Sequence, residues 1–337
     1  MNGELVGRAR EGDSDAFSEL IDPYRNELQA YCYRFLGSHQ DAEDAVQETV
    51  LSAWLGFAGY EGRASIRTWL YRVATSRCLN ALRSASRRPQ TWTPPAVEPP
   101  EPTRTAEVPW LEPYPDVLLD HLPDAGWGPE AQYEARETIS LAFVTALQLL
   151  PPRQRAALIL RDVLDFHASE VAAMMDTTEE SVTSALKRAR ATLRTQLAPA
   201  EDHQPPPQPG SLAEQDLVQR FSDAFIAHDV DGIIALLTED AWVKMPPMPF
   251  EYQGREAATR FFSALSNASA LRDVPFRFVP TRANGQPALG TYRQDLVTGI
   301  WHANGLLVLA LSGDQIREII RFEAGTLARF GLPRTLA

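Results

Sequence analysis

Cysteine is almost missing from this chain: 337 residues contain two, Cys32 and Cys78. Two cysteines exclude a disulfide framework, and neither has metal-ligating neighbours at a useful spacing. Both fall inside helical patterns and read as reduced core thiols. Long apolar runs are missing too. Nothing approaches the roughly 20 residues that cross a bilayer, and the start MNGELVGRAREGD has no apolar signal segment. The expectation is a cytoplasmic protein without membrane contact and without a cofactor. Acids are missing from Arg63 to Arg88, which holds seven arginines, and from Lys187 to Arg194, which holds four basic residues. Bases are scarce from 91 to 129, where seven acids face only Arg104. The net charge of −12 excludes a protein that coats nucleic acid everywhere. Two local basic stretches in an acidic chain point instead to targeted contact.

Helical periodicity fills residues 1–88. Leu5, Val6 and Ala9, then Ala16, Phe17, Leu20 and Ile21, recur at helical spacing, and Leu28, Tyr31, Cys32 and Phe35 continue the pattern past Pro23. From Asp41 to Trp54 the residues Ala42, Ala45, Val46, Thr49, Val50, Ala53 and Trp54 form one apolar face. Asp41, Asp44 and Glu48 form a second, with Glu43 and Gln47 beside them, and Ser38 is placed to cap the helix. A glycine-rich link carrying Phe57 and Tyr60 leads to a long helix from Ile66 to about Ser86. Trp69, Leu70, Val73, Ala74, Cys78, Ala81 and Leu82 face inward there, and Arg67, Arg72, Arg77 and Arg83 face elsewhere.

Residues 89–129 contain eleven prolines and read as a linker. The run Trp110 to Leu119 is too apolar for a pure spacer and is expected to dock, on a partner or on this chain. Residues 130–198 are helical again, with Tyr133, Ile139, Phe143 and Leu150 on one face and Pro151-Pro152 at a break. A short helix, Ala168 to Met175, precedes a turn at 176–178. Thr177 and Glu180 have capping-box spacing, and a longer basic helix follows from Glu179 to Leu197. This is helix-turn-helix grammar. On the last helix Thr183, Lys187, Arg190 and Arg194 point away from the core, flanked by Ser184 and Arg188. Residues 199–210 form a second proline-rich tether. Helices around Asp229-Val230-Asp231-Gly232 and then several strand-like runs make 211–333 an α+β region.

The order of residues resembles a known family. DAEDAVQET followed by AW, SIRTWLYRVATSRCLNALR, PPRQRAALILRDVL and SVTSALKRARATLR resemble the extracytoplasmic-function (ECF) sigma factors. That resemblance implies two all-α sigma domains, 1–88 and 130–198, whose partners are core RNA polymerase and promoter DNA. It places polymerase binding on Asp41, Asp44, Gln47 and Glu48. It places minus-ten recognition and melting on Tyr60, Arg63, Arg67, Arg72, Ser76, Arg77, Asn80 and Arg83. Opening a duplex needs cations for phosphates and flat surfaces for unstacked bases, which fits these residue types. Minus-thirty-five recognition falls to Thr183, Ser184, Lys187, Arg188 and Arg190. The family commonly has Asn where this chain has Ser76 and Asp where it has Asn80, so its base preference does not transfer.

AFIAHDVDGIIALLTEDAW with YQGREA looks like the SnoaL-like, ketosteroid-isomerase-like fold, a cone whose bent sheet wraps a pocket. The expected pocket residues are Trp242, Met245, Met248, Tyr252, Tyr292 and His302. Related cones do carbon-acid chemistry with a buried carboxylate and a nearby Tyr or His. Asp240, His302 and Glu323 form no convergent pair in the sequence. The expectation is therefore a sigma factor whose C-terminal domain regulates it through an intramolecular contact and is not an enzyme. An unknown small ligand of the pocket stays open. A helix-turn-helix regulator would explain 130–197 but not the first 88 residues, and a bifunctional protein would need an acid–base constellation.

Overall fold

The computed structural model describes residues 2–85, 98–106, 111–119, 138–197, 204–268 and 274–337. They fall into two compact units. One holds 1–89 with 117–198, the other 90–116 with 199–337.

The first unit is helical. Its first half comprises α1 (Asn2–Arg10), α2 (Ser14–Ile21), α3 (Arg25–Leu36), α4 (His39–Gly56) and α5 (Ile66–Ala85). The Ser38 hydroxyl caps α4 by accepting from the Asp41 amide at 3.1 Å, as its position predicts. Tyr31, Cys32 and Phe35 of α3 are fully buried with Leu70, Ala74 and Cys78 of α5. The two thiols lie 3.6 Å apart as free cysteines. Tyr31 and Thr75 share a buried hydrogen bond of 2.8 Å.

The second half comprises α6 (Leu141–Gln148), α7 (Pro152–Leu158), α8 (Ala168–Met174) and α9 (Glu179–Gln196). A π-helical turn, Ile159–Val163, follows α7. The cap of α9 is Thr178, whose hydroxyl accepts from the Ser181 amide at 3.2 Å, one residue later than the Thr177 spacing suggests. Tyr133 lies outside the described residues.

The two halves pack together. Arg155 is 4% exposed, and its guanidinium donates to the carbonyls of Phe35, Gln148 and Leu150. Phe166 meets Tyr71 edge-on at 5.0 Å, and the Thr68 hydroxyl donates to Glu170 at 3.1 Å.

The second unit is an eight-stranded sheet with helices α10 (Leu212–Ile226), α11 (Val230–Ala235) and α12 (Arg255–Asn267) packed on it. Its strands are β1 (Arg104–Thr105), β2 (Leu237–Lys244), β3 (Phe250–Gln253), β4 (Phe276–Ala283), β5 (Gln286–Gln294), β6 (Trp301–Ser312), β7 (Gln315–Glu323) and β8 (Thr335–Leu336). The order is β1-β3-β2-β7-β6-β5-β4, with β8 on β6, and among the described strands only β2 and β7 pair in parallel.

The sheet recruits the linker. β1 lies within 89–129, and it extends the edge of β3 with Arg104 opposite Glu251. The amides of Thr103 and Ala106 donate to the carbonyls of Glu251 and Pro249 at 3.0 and 2.7 Å. Further on, Leu111 and Tyr114 are buried. The β4–β5 hairpin turns at Asn284-Gly285, both with positive φ (56° and 74°), as a two-residue loop of this type requires. Asn284 then clamps Tyr114 from both sides: its amide donates to the Tyr114 carbonyl at 2.9 Å, and its Oδ1 accepts from the Tyr114 amide at 2.7 Å. Arg282 closes the hold by donating to Asp116 of the linker and to Glu214 of α10. The apolar run expected to dock therefore does so on this chain, through Leu111 to Asp116. Trp110 lies outside the described residues.

Candidate polymerase and promoter interfaces

Helix α4 exposes Asp44, Gln47 and Glu48 while burying Ala42, Ala45, Val46 and Ala53; Asp41 is partly exposed. The same exposed face continues into two leucines that sequence reasoning missed, Leu51 at 59% and Leu55 at 75% exposure. Their offsets from Asp44, seven and eleven residues, put them on its stripe. The surface is a ridge, acidic at one end and apolar at the other. An amphipathic helix with leucines on its wet face was the available signal.

On α5 the residues Arg72, Ser76, Asn80 and Arg83 are all exposed and follow helical spacing along one side. Arg63 is exposed and pairs with Glu61 at 2.6 Å. Arg77 is partly buried. Two expected contacts are engaged inside the fold. Arg67 donates to Glu27, and its guanidinium lies 4.4 Å from the centre of the Phe166 ring and 5.2 Å from that of Tyr71. Tyr60, expected as a platform for bases, is 8% exposed. Its ring stacks on Phe57 at 5.3 Å and its hydroxyl donates to the Ala64 carbonyl. The physical reason is the aromatic cluster of Phe17, Trp54, Phe57, Tyr60 and Trp69, which takes the ring out of solvent.

On α9 Thr183, Ser184, Lys187, Arg188, Arg190 and Arg194 are all exposed, over a buried row of Val182, Ala185, Leu186, Ala189 and Leu193. Thr183 turns its hydroxyl back to the Glu179 carbonyl. Arg190 forms a two-pronged pair with Asp162 at 2.7 and 2.8 Å, which leaves Ser184, Lys187 and Arg188 as the group projecting from the early turns.

The second unit holds a partly open cavity of about 520 Å³, of small-molecule size. Of the six expected pocket residues, Met245 and Met248 line it. Trp242, Tyr252, Tyr292 and His302 do not; for Trp242 and Tyr292 the reason is that side chains alternate along a strand. Val243 and Met245 face the cavity, so Trp242 faces the other way and lies beneath Arg104 and Lys244. Thr291 and Arg293 face it, so Tyr292 does not; its hydroxyl donates to the Pro333 carbonyl. Tyr252 is buried and donates to the Pro100 carbonyl of the linker at 2.9 Å. His302 is exposed. The linker itself supplies Glu98, Pro99 and Pro100 to the cavity wall, which the sequence did not foretell.

Three families match successive parts of the chain: Sigma-70 region 2 over 20–88, Sigma-70, region 4 over 140–193, and the SnoaL-like domain over 218–328. The ECF RNA polymerase sigma factor SigG of Mycobacterium tuberculosis H37Rv is 42% identical over 340 residues, covering 99% of this chain and 88% of the relative. This chain belongs to the ECF sigma factors. SigJ, an ECF sigma factor of the same organism, is 30% identical over 252 residues, covering 73% of this chain and 72% of its own. The crystal structure of Mycobacterium tuberculosis SigJ superposes with a TM-score of 0.60 at 21% identity, covering 94% of this chain and 99% of that one, and so shares its fold. As an ECF sigma factor, the chain directs core RNA polymerase to start transcription at promoters. Among the described residues no helix is long and apolar enough to cross a membrane.

Proposed function

We infer that the ridge on α4 is the polymerase contact, that the α5 stripe and the early turns of α9 read the promoter, and that the SnoaL-like cone regulates both through the linker. The carrying observation is the β1–β3 pairing, which makes the middle of the inter-module linker part of the cone. The acidic ridge suits a basic partner, and Leu51 and Leu55 add apolar area at its end. The two sigma modules pack against each other, with Arg67 held between Tyr71 and Phe166. Promoter elements near minus ten and minus thirty-five lie roughly 25 base pairs apart, about 85 Å along B-DNA. Modules in contact cannot reach both, so promoter engagement requires them to part. Residues 98–106 and 111–116, held on the cone, are withdrawn from the chain that spans that gap. Released, the stretch from 98 to 116 extends by up to about 60 Å. The cone then acts as a restraint rather than a catalyst. The least exposed charge of its cavity is the half-buried guanidinium of Arg321, which does not exchange protons at neutral pH. The protein works where core polymerase does, in the bacterial cytoplasm.

Run-off transcription with core polymerase tests this reading on three proteins: the full chain, residues 1–200, and the full chain carrying Asp44→Arg with Glu48→Arg. Truncation removes the surface that holds the linker, so activity should change at least severalfold. The charge reversal should abolish co-purification with core polymerase while leaving the circular dichroism unchanged. Equal activity of the first two proteins refutes cis regulation, and undiminished polymerase binding by the third refutes the ridge.

A further inference from the structure

The cone's cavity is built asymmetrically. Its belly is apolar and aromatic, with Phe221, Phe225, Phe261, Phe262 and Phe276 converging on it. Its polar end is made by Thr291, Asn304 and Arg321. Three further charges, Glu98, Arg293 and Glu323, line the cavity from exposed positions, whereas Arg321 is drawn inward. Burial pushes the Arg321 guanidinium below its ordinary pKa.

The sheet is bent to hold that guanidinium. Thr291 pairs with Gly305 and Tyr292 with Ala303, so Asn304 is an extra residue, a β-bulge. Its carbonyl accepts from Arg321 Nη2 at 2.8 Å. Gly305, at φ +157°, lets β6 pass where a Cβ would come within 2.5 Å of the Phe322 carbonyl. Among the described residues Arg321 makes that one hydrogen bond and no ion pair. A guanidinium carries five N–H donors in a planar fork. Arg321 is half-buried, and its remaining donors face the cavity, where water or a ligand has to satisfy them.

The partner's chemistry follows from the count. A single inward cation matches a single negative charge, and the fork matches a carboxylate in two-pronged geometry. A dianionic phosphate would bring one charge too many into an aromatic belly. A cationic ligand would find its partners, Glu98 and Glu323, only where water screens them. We propose that the cavity binds a monocarboxylic acid with an aromatic or medium-chain apolar body, its carboxylate on Arg321 and its body among the phenylalanines. The assignment stands on the cavity alone and does not rest on the regulatory reading above.

The test is calorimetric titration of the full chain with decanoate and 2-naphthoate, against decanamide, 2-naphthamide and decylamine. The same titrations are repeated on Arg321→Met and Arg321→Lys, with thermal unfolding as the check on folding. At least one acid should bind at or below about 0.1 mM, ten times or more tighter than its amide. Arg321→Met should erase the preference for acid over amide while leaving residual apolar binding, and Arg321→Lys should retain part of it. The proposal is overturned if neither acid binds, if an amide or the amine binds as tightly as the acid, or if the preference survives Arg321→Met. Should Arg321→Met fail to fold, the acid–amide comparison on the native chain and the Lys variant still decide.

Discussion

Replacing Asn284 isolates the clamp that holds the linker on the cone. Its Oδ1 accepts from the buried Tyr114 amide at 2.7 Å, and its backbone sits at φ +56°. Asn284→Gly keeps the turn conformation at no steric cost but removes the acceptor. Leaving a buried amide unpaired costs about 1–3 kcal/mol, so docking of residues 111–116 should weaken by a factor of roughly 5–150. Asn284→Ala removes the acceptor and also places a Cβ in the left-handed region, adding about 1–2 kcal/mol. Asn284→Asp keeps an acceptor at the same reach and tolerates the conformation, so it should stay near the native chain. Hydrogen exchange at the Tyr114 amide reads the result directly, with protection falling in the order Asp, Gly, Ala. Run-off transcription on the same proteins asks whether release alters initiation. If Asn284→Gly leaves Tyr114 as protected as in the native chain, the side-chain clamp is not what holds the linker.

The two DNA-facing modules should fail differently. Lys187→Ala with Arg188→Ala should lower closed-complex affinity by tenfold or more, measured by filter binding at fixed salt. Arg72→Ala with Arg77→Ala should instead reduce permanganate reactivity of start-site thymines, and unchanged reactivity would remove the melting role from that side of α5. Alkaline pH should destabilise the helical unit. Burial raises the phenols of Tyr31 and Tyr71 well above their ordinary value of about 10. Their contribution to stability is therefore complete below that value and is lost as pH rises through the folded values. A thermal midpoint that stays flat from pH 9 to 11, with both phenols ionising in the folded state, would contradict this.

The helices were legible because their apolar residues recur over many turns, and α4, α5 and α9 lie within a residue or two of where period and capping put them. The paired halves were not. Arg155 and Arg34 look like surface cations in sequence, yet their guanidinium groups bind carbonyls of another module, Phe35 and Thr138. The linker strand was hidden for a different reason. Edge pairing runs through backbone groups, and two residues between prolines carry no period to detect. Thr103-Arg104-Thr105 offered β-branched residues in a proline-rich run, and Asn284-Gly285 announced the hairpin that grips its far end. The cavity was misplaced by strand parity: choosing Trp242 and Tyr292 selected the right strands and the wrong faces.

The pairing of Arg104 with Glu251 joins residues far apart in the order of synthesis. A ribosome finishes both helical modules and the linker before it has made any of the surface that β1 docks on. At about 5–20 residues per second, the remaining sheet takes on the order of ten to thirty seconds to emerge. If the cone restrains the sigma modules as proposed, every newly made molecule passes through a stage in which those modules are complete and the restraint does not yet exist. A messenger truncated beyond the second tether would fix that stage permanently, and stalled or nicked chains would carry transcriptional consequences out of proportion to their number.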